Sequence, residues 1–92
     1  MSLVELHAIV HGRVQGVFFR DTTRQKARAL GILGTVKNLS DGTVEIYAVG
    51  ERDKLDQLIE ELSGEEGPGH VSKTDLTFSN PTHVFDDFRV IY

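Results

Sequence analysis

The apolar residues of this chain change their spacing along the sequence, and the order of those changes limits the possible folds. In the first segment every second residue is apolar, which is the period of a β-strand: Val4, Leu6, Ala8 and Val10. After a glycine-containing loop, the next segment has helical spacing: Phe19, Thr23, Ala27 and Leu30. Gly31 follows where a glycine commonly ends a helix. The chain is therefore predicted to begin with a strand and a helix.

The same two spacings return in the rest of the chain. A second strand is predicted over residues 35–38, and an Asp-Gly turn at 41–42 connects it to a third, which has apolar residues at alternate positions: Val44, Ile46 and Ala48. A second helix is predicted from an i, i+3, i+4, i+7 stripe: Leu55, Leu58, Ile59 and Leu62. An extended segment over 71–78 follows, with Leu76 and Phe78 as expected core residues. The last strand is predicted from three alternating residues: Phe88, Val90 and Tyr92.

The order of these elements predicts a fold class. Right-handed crossovers arrange two β-α-β units of this kind as an antiparallel sheet with both helices on one face. We therefore expect a ferredoxin-like α+β sandwich, β-α-β-β-α-β, with a further strand at the C-terminus. Because 92 residues are too few for two hydrophobic cores, residues 1–92 are expected to form one domain.

Composition excludes several kinds of site and partner. The chain has no cysteine, so it cannot form a disulfide, a thiolate zinc site or an iron–sulfur cluster. Its net charge of −4 does not favour general nucleic-acid binding. No apolar stretch approaches the ~20 residues of a membrane-spanning helix, and the first residues lack the pattern of a secretion signal. We expect a cytoplasmic monomer that binds neither nucleic acid nor membranes.

The loop between the first strand and the first helix is the main candidate for a binding site. It reads Gly12-Arg13-Val14-Gln15-Gly16-Val17-Phe18-Phe19-Arg20. Two glycines four residues apart allow the backbone to curve, so that successive N–H groups point at one anion. The start of the following helix adds partial positive charge, and the guanidinium of Arg20 can bind two phosphate oxygens. On the glycines alone, an ordinary strand-to-helix turn with Arg20 as a solvated helix residue is the more common interpretation, and that alternative stays open here.

Asn38, at the end of the second predicted strand, is the second candidate. An asparagine beside a hairpin usually forms hydrogen bonds with the backbone of its own turn. If an anion site lies on the neighbouring strand, a second role becomes possible. A carboxamide offers a donor and an acceptor, so it can hold a water molecule and stabilise a developing charge.

Together these residues resemble the acylphosphatase family. Arg20 closes the glycine loop, and 18 residues later Asn38 lies in the run Val-Lys-Asn-Leu-Ser-Asp-Gly-Thr-Val; the similarity covers nearly the whole chain. The resemblance implies an enzyme that hydrolyses acyl phosphates to a carboxylate and inorganic phosphate, without a cofactor or metal. It implies that Arg20 and the loop from Arg13 to Phe19 bind the phosphate and that Asn38 positions the attacking water. It also implies supporting roles for Gly12 and Thr43. Leu39 stands where some members have a threonine.

Two other functions fit parts of the sequence. A non-catalytic anion-binding or regulatory domain would keep the loop without turnover, and an RNA-binding domain of this fold would use the open face of the sheet. Phe18 and Phe19 lie at the loop–helix junction rather than on a central strand, so we expect them to anchor the loop in the core. No metal site is expected, because the histidines are scattered along the sequence and no predicted helix carries a pair of them at the i, i+4 spacing of ligands: His7, His11, His70 and His83.

Overall fold

The computed structural model describes residues 2–92, which form five strands and two helices. These elements are β1 (Val4–Arg13), α1 (Phe19–Ala29), β2 (Leu33–Asn38), β3 (Val44–Gly50), α2 (Arg52–Ser63), β4 (His70–Ser79) and β5 (Phe88–Ile91). All the predicted elements are present in the predicted order, although β2 begins two residues earlier than expected. Neither helix of residues 2–92 has the length and apolar character needed to cross a membrane.

The five strands form one sheet in the order β4-β1-β3-β2-β5. The pairs β1–β3, β1–β4 and β2–β3 are antiparallel, as predicted, whereas β5 pairs with β2 in parallel. The sheet is therefore mixed rather than wholly antiparallel. The direction of β5 follows from its connection, because residues 80–87 cross the sheet from the β4 edge to the β2 edge. The predicted ferredoxin-like α+β class is confirmed.

The core lies between the helices and one face of the sheet. Helix α1 packs on β2 and β5, and α2 packs on β3 and β4. The alternating residues predicted for β1 and β3 are buried there: Leu6, Ala8, Val10, Val44, Ile46 and Ala48. Phe78 packs against this core as predicted. The prediction for Leu76 is wrong, because it is 39% exposed on edge strand β4, which α2 covers incompletely.

Gly12 sets the path of the chain into the loop after β1. The pairing of β1 with β4 changes register between His11 and Gly12. Gly12 has a φ of 124°, and a Cβ there would collide with the carbonyl oxygen of His70. Only glycine permits this close approach of the two strands together with a positive φ. Gly12 therefore shapes the start of the candidate site from outside it.

Candidate functional site

A cleft of about 410 Å³ lies where the loop after β1 meets the end of β2. Its lining comes from both regions and from the C-terminal strand: Val14, Gly16, Phe18, Phe19, Arg20, Asp21, Arg24, Asn38, Val90 and Tyr92. The fold thus brings together the two residues predicted to be catalytic, Arg20 and Asn38. The volume is within the ~300–1,000 Å³ typical of small-molecule sites.

The loop has a backbone conformation suited to an anion. Gly16 and Phe18 both have left-handed backbones, with φ values of 75° and 59°. The first hydrogen bond of α1 runs from the Thr22 N–H to the Phe18 carbonyl, at 3.0 Å. The N–H groups of residues 19–21 precede that bond, so they have no partner within the helix. Free N–H groups at a helix start carry partial positive charge beside the cleft.

Arg20 lies in the first turn of α1 and is half-buried. Its guanidinium carbon is 4.7 Å from the centre of the Tyr92 ring, a cation–π contact that orients the planar group. Within residues 2–92, Arg20 has no carboxylate partner, whereas Arg24 and Arg28 both form ion pairs. A stacked guanidinium keeps the N–H groups at its edge available. Arg20 therefore presents unpaired positive charge to the cleft.

Asn38 is the last residue of β2 and is half-buried. Its carboxamide oxygen is fully buried and has no hydrogen-bond partner within residues 2–92. Buried polar atoms nearly always have a partner, so an exception in a cleft indicates a functional role. The hydrogen-bond acceptor capacity of this oxygen is therefore unused within the described chain, and the atom itself is covered in this conformation.

Gln15 connects the loop to the turn that follows Asn38. Its carboxamide nitrogen donates to the carbonyl oxygens of Leu39 and Thr43, each at 2.8 Å. The sequence predicted Gln15 only as a substrate-binding loop residue, and its side chain does not line the cleft. The partners lie 24 and 28 residues away, so no local pattern identifies them. Gln15 therefore fixes the position of the loop after β1 relative to the turn between β2 and β3.

The β2–β3 turn is held by its own hydrogen bonds. The Leu39 N–H donates to the Thr43 carbonyl at 2.9 Å, and the Gly42 N–H donates to the Leu39 carbonyl at 3.2 Å. The hydroxyl and N–H of Thr43 donate to the Asp41 carboxylate at 2.6 and 3.0 Å, and these bonds lower the pKa of Asp41. Thr43 thus stabilises the turn without lining the cleft, and Leu39 contributes through its backbone.

The remaining loop residues are placed in different ways. Phe19 is buried in the core, as predicted. Val17 is partly buried and packs against the same core. Arg13 is exposed at the end of β1 and does not line the cleft. The expectation that Phe18 anchors the loop in the core is wrong, because its side chain is 83% exposed. Its left-handed backbone presents the ring at the mouth of the cleft.

Sequence reasoning missed several residues that line the cleft. The sequence pattern predicts Tyr92 only as a strand residue, whereas the structure stacks it on Arg20. Asp21 and Arg24 also line the cleft, and their side chains form an ion pair. Their i, i+3 spacing on a helix is the sequence signal that could have identified this pair.

The open face of the sheet carries paired polar residues. His7 contacts the Glu45 carboxylate at 2.9 Å, and His11 contacts that of Asp75 at 2.8 Å. In the described part of the chain, no group of three or more histidine and acidic side chains is arranged to hold a metal ion. Carboxylates on this face disfavour a polyanion, so its composition does not support the RNA-binding alternative.

The fold and the cleft define a small α+β protein with a cleft suited to an anion between a strand–helix loop and a hairpin. A family model for acylphosphatase matches residues 6–90. An acylphosphatase of Paenarthrobacter aurescens is 42% identical over 88 residues, which cover 96% of this chain and 94% of that protein. The chain belongs to the acylphosphatase family, so the predicted family and enzyme class are confirmed.

Solved structures agree with this assignment. An acylphosphatase from Bacillus subtilis has a TM-score of 0.89 at 33% identity, covering 97% of this chain and 99% of that one. An acylphosphatase from Coxiella burnetii has a TM-score of 0.87 at 43% identity, covering 98% of this chain and 94% of that one. The similarity extends over the whole sheet and both helices.

Proposed function

We propose that this acylphosphatase binds the phosphoryl group of an acyl phosphate between the backbone of residues 13–19 and the Arg20 side chain, and that Asn38 positions the attacking water. One observation carries the proposal. A guanidinium without a carboxylate partner and a buried carboxamide oxygen without a hydrogen-bond partner line the same cleft. A cleft with an unpaired hydrogen-bond donor and an unpaired hydrogen-bond acceptor suits a reaction between an anion and water.

The chemistry needs few protein groups. The water oxygen forms a bond to phosphorus while the bond from phosphorus to the carboxyl oxygen breaks, and that oxygen leaves with the electron pair as a carboxylate. Carboxylic acids have pKa values of about 4–5, so this leaving group departs without a general acid. The proton from the water passes to a phosphate oxygen. Positioning and charge stabilisation then supply most of the catalysis.

The residues divide this work. The edge of the Arg20 guanidinium and the N–H groups at the start of α1 bind the phosphoryl oxygens and neutralise their charge. The Asn38 carboxamide rotates to bring its oxygen to the cleft, where the water donates a hydrogen bond to it, and this bond fixes the direction of attack. Gln15 maintains the distance between the two parts, because it binds the turn that directly follows Asn38.

We further propose that residues 1–92 act as a single-domain monomer in the cytoplasm, with acyl phosphate and inorganic phosphate as partners. The absence of cysteine suits a reducing compartment. The net charge of −4 argues against nucleic acid as a partner. Sedimentation at several protein concentrations tests the oligomeric state.

The test is phosphate release from benzoyl phosphate in the presence of EDTA. We expect release far above the spontaneous rate, and competitive inhibition by inorganic phosphate. Activity should persist in EDTA because Arg20 and the backbone N–H groups provide the positive charge that phosphoryl transfer requires. Tight phosphate binding without release above the spontaneous rate would instead support the non-catalytic anion-binding domain.

A further inference from the structure

Two aromatic side chains stand exposed at the mouth of the cleft. Phe18 is 83% exposed and Tyr92 is 91% exposed, and both line the cleft beside Arg20. Among residues 2–92, no other phenylalanine or tyrosine side chain is exposed. Large apolar rings gain free energy when they leave water, so their joint exposure here indicates a ligand that covers them.

The backbone of Phe18 provides an independent reason. Among residues 2–92, Phe18 alone combines a side chain with a positive φ. A bulky residue in this conformation is strained. Glycine would adopt the same backbone without strain. The loop geometry therefore explains the left-handed conformation but not the phenyl ring. Strained residues cluster where ligands bind, which suggests that the ring itself has a function.

The direction of the reaction identifies the part of the substrate that meets these rings. In phosphoryl transfer the attacking and leaving oxygens lie on opposite sides of phosphorus. With water at Asn38, the acyl group must point away from Asn38. The cleft of about 410 Å³ is far larger than a phosphoryl group, and Val14 and Val90 add apolar lining.

We propose that Phe18 and Tyr92 form an acyl-group subsite that favours aromatic and large apolar acyl phosphates over small ones. This inference rests on the proposed function, because it assigns the leaving side of the same reaction. One face of the Tyr92 ring stacks on Arg20, so the subsite adjoins the group that binds phosphate. An aromatic acyl group would pack against both rings in the offset or edge-to-face geometry that such pairs prefer.

The experiment compares kcat/KM for benzoyl phosphate with kcat/KM for acetyl phosphate. Phe18→Gly removes the ring and keeps the left-handed backbone accessible, whereas Phe18→Leu keeps apolar bulk without the aromatic ring. We expect the benzoyl-to-acetyl ratio to fall about three- to tenfold in Phe18→Gly, and less in Phe18→Leu. Tyr92→Ala should lower the same ratio. Val84→Ala is the control, because Val84 is fully exposed and lies outside the cleft.

The ratio separates this inference from the proposed function. If the unmodified protein hydrolyses both substrates but Phe18→Gly leaves the ratio unchanged, the acyl subsite is wrong and the proposed function stands. If the unmodified protein hydrolyses neither substrate, the proposed function fails, and the subsite fails with it. Circular dichroism verifies that each variant is folded.

Discussion

The two ends of β1 hold polar groups in opposite ways. Near its start, the buried Glu5 carboxylate accepts hydrogen bonds from the N–H groups of Thr82 and His83 and from the Thr82 hydroxyl, each at 3.0 Å. Beyond its other end, the cleft contains Arg20 without a carboxylate partner and Asn38 with a partnerless oxygen, among residues 2–92. The polar group at the start of β1 is hydrogen-bonded within the protein, whereas those in the cleft beyond its other end have unused hydrogen-bonding capacity.

Glu5, with its partners Thr82 and His83, is an example of a polar group that stabilises the fold. Burial raises the pKa of Glu5, but hydrogen bonds from Thr82 and His83 outweigh it and lower the pKa to about 2. His83 also packs on Tyr47, with ring centres 4.9 Å apart, and these contacts fix residues 80–87 over the sheet. A fully satisfied buried charge therefore indicates a role in the fold, whereas an unsatisfied group in a cleft indicates a role in binding.

Replacement of Arg20 is the strongest test of this contrast. Arg20→Gln should lower kcat/KM for benzoyl phosphate by about 10³-fold or more, the scale for losing an arginine from phosphoryl transfer. Arg20→Lys should recover little, because a lysine cannot bind two phosphate oxygens with a planar fork. The melting temperature should change little, since no ion pair within the described chain is lost. Arg89→Gln is the matched control, and near-normal activity in Arg20→Gln would remove Arg20 from the site.

Replacement of Asn38 tests the unsatisfied oxygen. Asn38→Ala should lower kcat by about 10²–10³-fold, the cost of losing one preorganised group, with a smaller change in KM. The free energy of unfolding should stay the same or rise, because the substitution removes a buried oxygen that has no partner. Steady-state kinetics and urea denaturation measure the two effects. Asn80→Ala, in an exposed turn, is the control.

A marked loss of stability in Asn38→Ala, or a large rise in KM at unchanged kcat, would contradict this interpretation. The first result would make Asn38 a structural residue like Glu5. The second would make it a substrate-binding residue rather than one that positions water.

Gln15 lies between these two cases, because its carboxamide nitrogen makes two hydrogen bonds within the protein and these bonds serve the site. Gln15→Ala should lower kcat about tenfold, because small displacements of positioned groups are costly. Gln15→Glu keeps the shape but, as a carboxylate, only accepts hydrogen bonds, so it should be at least as damaging. KM should change less than kcat, whereas a purely structural role would lower stability and leave the kinetics of the folded fraction unaltered. Gln57→Ala controls for a glutamine on an exposed helix face.

The sequence predicted elements well and contacts between distant residues poorly. Hydrophobic periodicity depends on local backbone geometry, so it located both helices and the buried side chains of β1 and β3. The direction of β5 and the stacking of Tyr92 on Arg20 depend on how residues 80–87 cross the sheet, which no local spacing encodes. The prediction for Phe18 is wrong because an apolar residue beside a core residue suggests burial, and its left-handed backbone is visible only in the structure.

The smallest effect on activity is expected at the satisfied end of β1. Glu5→Gln keeps the shape but loses a charged acceptor, so it should lower the free energy of unfolding by roughly 1–3 kcal/mol at neutral pH. The pKa of Glu5 is lowered from 4.5 to about 2. Its stabilisation is therefore complete above pH 4.5 and is lost as the pH falls towards about 2. The difference between the two proteins should shrink over that range.

Urea denaturation at a series of pH values between about 7 and 3 measures this difference directly. Glu60→Gln, on the exposed face of α2, is the matched control and should show no such pH dependence. Turnover of benzoyl phosphate at neutral pH should be the same in Glu5→Gln as in the unmodified protein. If Glu5→Gln lost activity while folded, or if its stability difference were independent of pH, the two ends of β1 would not divide structure from function.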